Sequence, residues 1–178
     1  MRIRTTIAIA TVVATIAGLA AAIEVRAGAD KIAFPENYAT GVVYLALDRA
    51  GSKQITEYYV SQEAIDAAKK GMPLPSGTVI TAVAVGAELD AQGNPVKDSK
   101  GRFIKTNNIT GYRVMAKRTG WGSEYPEEKR NGEWEYQVFR ADKTPNPTAD
   151  LNGCFGCHKP QDKQDFVFTY DKLKVAGQ

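Results

Sequence analysis

Both cysteines and the only histidine of this 178-residue chain lie within five consecutive residues, Cys-Phe-Gly-Cys-His at 154–158. Side chains at positions i and i+3 of a helical turn project from the same side. Cys154 and Cys157 would therefore present their thiols together, with the imidazole of His158 beside them. Whatever these groups hold must be bound near the carboxyl end, and the preceding part of the chain must fold around it.

Cys-x-x-Cys-His is the attachment sequence of c-type haem. Two thiols on one helical turn can form thioethers with the two vinyl groups on one edge of a porphyrin. The histidine that follows can then bind the iron. We therefore predict one covalently attached haem c, bound by Cys154, Cys157 and His158, with His158 as the protein ligand of the iron.

Three other interpretations of the same residues remain open. A thioredoxin-like disulfide between Cys154 and Cys157 would be expected at the start of a helix in a βαβ unit, whereas only 20 residues follow His158. A structural zinc site needs four ligands, so an acidic side chain would have to supply the fourth. The third interpretation is coincidence.

The second axial position of the iron has no obvious ligand. His158 is the only histidine, and residues 159–178 contain no methionine. Outside the initiator, only Met72 and Met115 remain, and both precede the motif. We therefore expect five-coordinate iron with an open side, where a small molecule binds or reacts. Ligation by Met72 from a proline-rich loop is the alternative, and it would make a simple electron carrier.

The first 27 residues predict a secretory signal peptide. Arg2 and Arg4 form a basic start, residues 7–23 are uncharged and mostly apolar, and small residues precede a cleavage point after Ala27. An uncleaved membrane anchor is the alternative, because a run of this length is near the lower limit for a span. Cleavage would leave one haem domain at 28–178 in the periplasm, with membrane contact only if the segment were retained.

Composition is typical of a globular protein without a concentrated charge. Hydrophobic residues make 43% and charged residues 24% of the chain, so wholesale disorder is not expected. After removal of residues 1–27, 20 basic and 19 acidic side chains remain. Binding to nucleic acid needs a concentrated basic surface, so nucleic acid is not an expected partner.

The residue pattern predicts an α+β fold that is mainly β, with an antiparallel sheet of about five strands and a few short helices. β-branched and aromatic residues, bounded by turn signals, predict strands at 40–48, 53–60, 76–86, 112–118 and 133–140. A serine cap and a final glycine predict a helix at 61–71. The polar segment 87–111 predicts a long loop or a hairpin with a frayed tip.

The haem ligands are predicted to lie on a short helix near the carboxyl end, with Thr148 as a possible cap. The segment 164–174 follows this helix. Its apolar residues alternate, which predicts a strand or an extended arm, although helical packing is also possible; they are Phe166, Phe168 and Tyr170.

The chain resembles the cytochrome P-460 family, whose near relatives are the cytochromes c′-beta. The segments that carry the resemblance lie at 34–38, 69–80, 132–136 and 154–169. The resemblance implies a mostly antiparallel sheet, a five-coordinate haem c, and a homodimer formed through sheet contacts. It is incompatible with the helical cytochromes c′, which place the haem on a four-helix bundle.

Two activities occur among proteins of this kind, and one residue separates them. In the hydroxylamine-oxidising members, a lysine on the strand after the Gly-Thr-Val sequence is joined covalently to the porphyrin. The corresponding position here is Ala82, and no lysine occurs between Lys70 and Lys97. A distal acid of the oxidising members would fall on Ala116 or Arg118, and neither is a carboxylate.

We therefore predict a protein that binds a small ligand such as nitric oxide at the open iron, on an apolar distal face. A hydroxylamine-oxidising enzyme and a simple electron-transfer cytochrome are the alternatives. A redox partner protein is not identified by the sequence. Five aromatic residues are expected mainly to pack the sheet, although they could also line the haem: Tyr44, Tyr58, Tyr59, Trp121 and Trp134.

Overall fold

A computed structural model describes residues 31–177 as one five-stranded antiparallel sheet with a few short helices. The strands are β1 (Val42–Arg49), β2 (Gln54–Val60), β3 (Val79–Ala87), β4 (Lys105–Lys117) and β5 (Trp134–Arg140). The helices are α1 (Gln62–Lys69), α2 (Leu151–His158) and α3 (Tyr170–Lys174). The predicted α+β, mainly β fold is confirmed. The predicted signal peptide at 1–27 lies outside the described residues.

Each strand pairs with the next one along the chain, so the sheet is a meander with the order β1-β2-β3-β4-β5. The register places four side chains in one row across the sheet. Tyr58 pairs with Ala82, Ala82 pairs with Arg113, and Arg113 pairs with Val138. Because successive side chains of a strand point to opposite faces, these four side chains lie on the same face.

The two faces of the sheet are covered by different parts of the chain. On the helix face, the sheet residues Ile80, Met115, Trp134 and Tyr136 join one core cluster with buried residues of α1, α2 and α3. On the far face, a second cluster joins sheet residues to the segment before β1; its members include Ile32, Val83, Val85, Tyr112, Val114 and Phe139. The chain thus has an apolar layer on each side of the sheet.

Helix α1 forms where its sequence predicts it. The Ser61 hydroxyl accepts a hydrogen bond from the backbone N–H of Ala64, which caps the first turn. Its buried side chains are Ala64, Ile65 and Ala68, and the helix packs against α3. Within residues 31–177, no helix has the length and apolar character needed to cross a membrane.

The predicted strand at 164–174 is wrong, and the helical alternative is found instead. Residues Lys159–Gln164 form a 3-10 helix, and α3 follows after a turn. Asp165 and Phe166 in that turn have φ of 51° and 59°. A left-handed backbone cannot continue an extended strand, so the alternation of apolar residues here does not reflect a sheet.

Two element boundaries also differ from the sequence prediction. Strand β4 begins at Lys105, well before the predicted 112, because the segment 88–104 folds back as a closed hairpin tip. In that tip the Asp90 and Asp98 carboxylates accept backbone N–H groups two and four residues later. Helix α2 is capped by Asp150 rather than Thr148, since the Asp150 carboxylate lies 3.0 Å from the Gly153 nitrogen.

Candidate cofactor-binding site

A cavity of about 450 Å³ lies between the helix face of the sheet and the carboxyl-terminal segment. Cofactor and ligand pockets in proteins span roughly 300–1,000 Å³. The carboxyl-terminal wall consists of Cys154, His158, Val167, Phe168 and Thr169. The sheet wall includes Gln54, Thr56, Tyr58, Ile80, Ala82, Arg113, Met115, Tyr136 and Val138. Two of the three predicted ligands therefore face one cavity of suitable size.

Helix α2 is fixed to β5 by one aromatic side chain and one amide. Phe155 is 5% exposed, and its ring packs edge-on against Tyr125 and Tyr136. Asn131 donates one hydrogen bond to the Phe155 carbonyl and another to the Tyr136 hydroxyl, both at 3.0 Å. A side chain at position 153 would bring a Cβ within 2.6 Å of the Asp150 carboxylate, so glycine there permits the cap.

His158 is held in the geometry of a metal ligand. Its ring packs against Tyr136 at 4.8 Å and against Phe168 at 5.0 Å between centroids. Its Nδ1 lies 2.7 Å from the carbonyl oxygen of Phe166. A carbonyl only accepts hydrogen bonds, so Nδ1 carries the proton and Nε2 keeps its lone pair. Metal-bound histidines usually make this type of contact through the second ring nitrogen.

The charge state of His158 also suits metal binding. Burial lowers the pKa of its imidazole, and the hydrogen bond with Phe166 only partly opposes this effect. The neutral ring is therefore favoured near neutral pH, and only a deprotonated nitrogen can bind a metal.

The two thiols differ in their surroundings, and neither forms a disulfide in the described structure. Cys154 is half-buried and faces the cavity, whereas Cys157 is exposed and does not line it. Burial raises the pKa of the Cys154 thiol. Among residues 31–177, no three His, Cys, Asp or Glu side chains are grouped so that they could hold a metal ion, so the zinc interpretation gains no fourth ligand.

The model of the Cytochrome P460 family matches residues 35–169 of this chain. The chain belongs to the cytochrome P460 family. It is therefore a c-type haem protein, with iron as the metal. A comparison with curated proteins found no match. The donor set fits this cofactor, because a cavity, two thiols and an imidazole with a free nitrogen occur within one helix and its surroundings.

The position that the resemblance assigns to the cross-linking lysine of the hydroxylamine-oxidising members lies on the cavity wall. Ala82 on β3 faces the cavity, between its cross-strand neighbours Tyr58 and Arg113. Among the described residues that line the cavity, none is a lysine and none is a carboxylic acid. A side chain at position 82 could therefore reach a bound porphyrin, but alanine has no amine to form a cross-link.

Neither position that the sequence offers for a distal acid lies on the cavity wall. Ala116 is buried in the far-face cluster, and Arg118 does not line the cavity. Arg113 and Met115 line it instead, because alternate residues of β4 face the helices. Strand alternation within residues 112–118 could have identified Arg113, but its strand face could not be chosen from the sequence alone.

Several polar side chains contribute to the wall of the cavity. Arg49 and Arg113 both line it, together with Gln54, Thr56 and Tyr58. Arg49 donates a hydrogen bond of 2.9 Å to the Tyr58 hydroxyl. The cavity lining is mainly apolar, and its sheet wall also offers several hydrogen-bond donors to a ligand.

Neither Met72 nor most of the candidate aromatic residues belong to the site. Met72 is 54% exposed and does not line the cavity, whereas Met115 does. Tyr58 lines the cavity and packs near Tyr44. The other three aromatic residues pack elsewhere, as the sequence predicts: Tyr59 and Trp121 against the far-face cluster, and Trp134 in the helix-face core.

Proposed function

We propose that the protein is an exported monohaem cytochrome that binds a small ligand such as nitric oxide at an open iron site. Cys154 and Cys157 would hold the haem through thioethers, and His158 would supply an imidazole nitrogen to the iron. The bound haem provides an iron centre that can take one further ligand. The proposal extends the family assignment, which identifies only a c-type haem protein.

One observation carries this proposal. His158 reaches the cavity with Nδ1 already engaged by the Phe166 carbonyl at 2.7 Å, so Nε2 is available for the iron. Among the described residues, the sheet wall of the cavity offers no second histidine, no lysine and no carboxylate. An iron bound to His158 would thus keep a side that is free for an incoming ligand.

The residues of the chain have separate tasks in such a site. Tyr136 and Phe168 hold the plane of the His158 ring. Arg113 places a cation on the sheet wall, where it can donate a hydrogen bond to a bound ligand. A guanidinium is always charged at physiological pH, so this donor favours ligands that carry negative charge.

An electron-transfer cytochrome is the second candidate, and one observation favours it. Met115 is 8% exposed and lines the cavity. Its cross-strand neighbour on β5 is Tyr136, which also lines the cavity. A thioether at this position is the one alternative axial ligand of the usual type among the described cavity residues. Oxidation of hydroxylamine is less well supported, because Ala82 lacks the amine of the oxidising members.

The absorption spectrum of the purified protein, with its intact mass, tests the proposal. We expect a high-spin resting spectrum that changes on addition of nitric oxide or carbon monoxide, and a mass that includes one haem and lacks residues 1–27. A low-spin spectrum insensitive to both gases would contradict ligand binding. If Met115→Leu then converted that low-spin spectrum to a high-spin one, an electron-transfer cytochrome would replace a ligand-binding protein as the proposed function.

Location and assembly form part of the same proposal. The predicted signal peptide at 1–27 supports export to the periplasm, where the haem can be joined to the two thiols. The family resemblance supports a homodimer formed through the sheet. A redox partner protein is not assigned.

A further inference from the structure

A buried ion pair lies next to the carboxyl-terminal wall of the cavity. The Lys117 ammonium on β4 lies 2.9 Å from both carboxylate oxygens of Asp165. Lys117 is 8% exposed, and its ammonium also lies 5.7 Å from the centre of the Trp134 ring. Burying two charges is costly, and such a pair often fixes a particular geometry rather than adding stability.

The Asp165 carboxylate has a third partner. It accepts a hydrogen bond of 2.8 Å from the backbone N–H of Leu74, in the segment after α1. The carboxylate is therefore held from the sheet and from the helical layer at once. This anchoring fixes the backbone at the start of the turn that joins the 3-10 helix to α3.

The turn itself has an unusual backbone. Asp165 and Phe166 are consecutive non-glycine residues with φ of 51° and 59°. Such conformations persist only where the surroundings determine them. Besides the carboxylate contacts, the Phe166 N–H donates to the Gln161 carbonyl at 2.8 Å. The Phe166 ring lies so close to Gly132 that a Cβ there would be 3.1 Å away.

The carbonyl that this turn presents is the one that accepts the Nδ1–H of His158. We propose that Lys117 and Asp165 are positioning residues that hold the Phe166 carbonyl against His158 and so set the donor strength of His158 toward the iron. The inference rests on the proposed axial role of His158. It adds residues from β4 and from the turn to a site whose ligands all lie on α2.

The chemical consequence follows from the second nitrogen of the ring. A hydrogen bond from Nδ1 to a well-placed acceptor makes the imidazole a stronger donor through Nε2. A stronger axial donor stabilises ferric iron relative to ferrous iron, which lowers the reduction potential. If the carbonyl moves away, the iron–histidine bond weakens and the potential rises.

The test compares Asp165→Asn and Lys117→Met with the wild-type holoprotein. Asparagine tolerates the left-handed backbone and can still accept the Leu74 N–H, so Asp165→Asn is expected to fold. Asp48→Asn is the matched control. It removes a carboxylate of β1 that is paired with Arg102 in the hairpin tip at 88–104. The measurements are the iron–histidine stretching frequency of the ferrous protein by resonance Raman spectroscopy and the reduction potential.

We expect both test variants to lower the stretching frequency and shift the potential to more positive values, while Asp48→Asn changes neither. The frequency and the potential of the double variant should shift no further than those of the single variant with the larger effect, since both substitutions act through one contact. Lys117→Arg keeps the cation, so its stretching frequency and reduction potential should be closer to the wild-type values than those of Lys117→Met.

Unchanged frequency and potential in folded test variants would overturn the inference while leaving the proposed function intact. An equal shift in Asp48→Asn would also overturn it, because a general loosening of the fold would then explain the result. If the wild-type ferrous protein itself showed no iron–histidine band, the open iron site of the proposed function would be contradicted; a reduction potential unchanged in both test variants would then still overturn the inference.

Discussion

Arg113 is the one charged side chain in the row that crosses the cavity wall at Ala82, since its neighbours in that row are Tyr58, Ala82 and Val138. It is exposed at the cavity surface, and no hydrogen bond or ion pair links it to another described residue. A cation without a protein partner is available to a ligand. At the scale of single residues, Arg113 is therefore the side chain through which we expect the proposed site to discriminate between ligands.

Replacement of Arg113 by leucine should weaken binding of an anion more than binding of a neutral gas. A hydrogen bond to a charged group contributes about 1.5–3 kcal/mol, and solvent exposure reduces this value. We expect azide to bind about tenfold more weakly, which corresponds to about 1.4 kcal/mol, and carbon monoxide to be nearly unaffected. Spectroscopic titration measures both. Equal weakening of the two ligands would argue against a specific role, and Arg113→Lys should retain part of the preference.

Ala82 offers a second test at the same scale. Ala82→Lys would place an amine on the cavity wall at the position where the oxidising relatives carry their cross-linked lysine. We expect a ferrous absorption band displaced to the red of the wild-type band, and a haem modified at the porphyrin edge in peptide mass spectra. Ala82→Leu supplies bulk without an amine and should leave the band in place. An unmodified haem in a folded Ala82→Lys protein would mean that position 82 does not correspond to that lysine.

At the scale of elements, α2 is a short helix whose sequence contributes little stability of its own. It contains two glycines in eight residues, and glycine disfavours helix interiors. Its position depends on the Asp150 cap, on Phe155 and on the Asn131 amide. The element that carries the cofactor ligands is thus held mainly by its contacts with β5.

Truncation of Phe155 should therefore destabilise the protein strongly. Removal of a buried phenylalanine side chain typically costs 3–5 kcal/mol, so we expect Phe155→Ala to lower the free energy of unfolding by about 3 kcal/mol or more. Denaturant titration followed by circular dichroism gives this value. Phe168→Ala removes the same side chain from a position that is 50% exposed and should cost clearly less. Similar losses in both variants would contradict the anchoring role of Phe155.

Strand β5 also carries a buried acid on the far face of the sheet. The Glu135 side chain is fully buried, accepts a hydrogen bond of 3.1 Å from the Tyr125 hydroxyl, and lies 3.3 Å from the Lys31 ammonium. Burial raises the pKa of Glu135, and the contacts with Lys31 and Tyr125 only partly oppose this effect. The folded protein therefore holds this proton more tightly than the unfolded chain does.

The raised pKa of Glu135 predicts a pH-dependent effect of Glu135→Gln. The stabilisation that protonation provides is complete below the unfolded pKa of about 4.3 and is lost as pH rises through the folded pKa. Glutamine does not titrate. The unfolding free energy of the variant minus that of wild type should therefore increase as pH rises from the unfolded to the folded pKa of Glu135, and then level off. Urea titrations at a series of pH values above 4 measure this difference. A constant or falling difference would contradict the prediction.

Local chemistry made part of the site predictable from the sequence. Cys154, Cys157 and His158 lie within five consecutive residues, so their spacing alone indicates the cofactor, and alternation of apolar residues indicates most of the strands. The contact between His158 and Phe166 could not be predicted in this way. It uses a backbone carbonyl, which every residue has, so no residue type in the sequence indicates it. The turn at Asp165 was missed for a related reason: the residues around it alternate like a strand, whereas three contacts to one carboxylate determine the backbone.

At the scale of the whole molecule, the sheet is a meander with two edge strands, β1 and β5. The helix face carries the cavity, and the far face is covered in part by the segment before β1. Aromatic rings on the far face pack edge to face, among them Phe34, Tyr38 and Tyr112. The molecule therefore places its site on the helix face, whereas both edge strands contribute side chains to the cavity wall: Arg49 from β1, and Tyr136 and Val138 from β5.

The expected homodimer can be checked directly. Sedimentation equilibrium of the holoprotein should give twice the mass of the mature chain with its haem, with no dependence on added ligand. A monomer at micromolar concentration would contradict the assembly implied by the family resemblance.

The order of elements along the chain has a consequence for biosynthesis. Every strand that walls the cavity precedes Cys154, and each strand pairs with its immediate predecessor. A chain that emerges amino end first can therefore complete its sheet before the thiols become accessible to the machinery that attaches the haem. The Phe166 carbonyl lies eight residues after His158, so the contact between them can form only after the whole sheet and α2 have emerged.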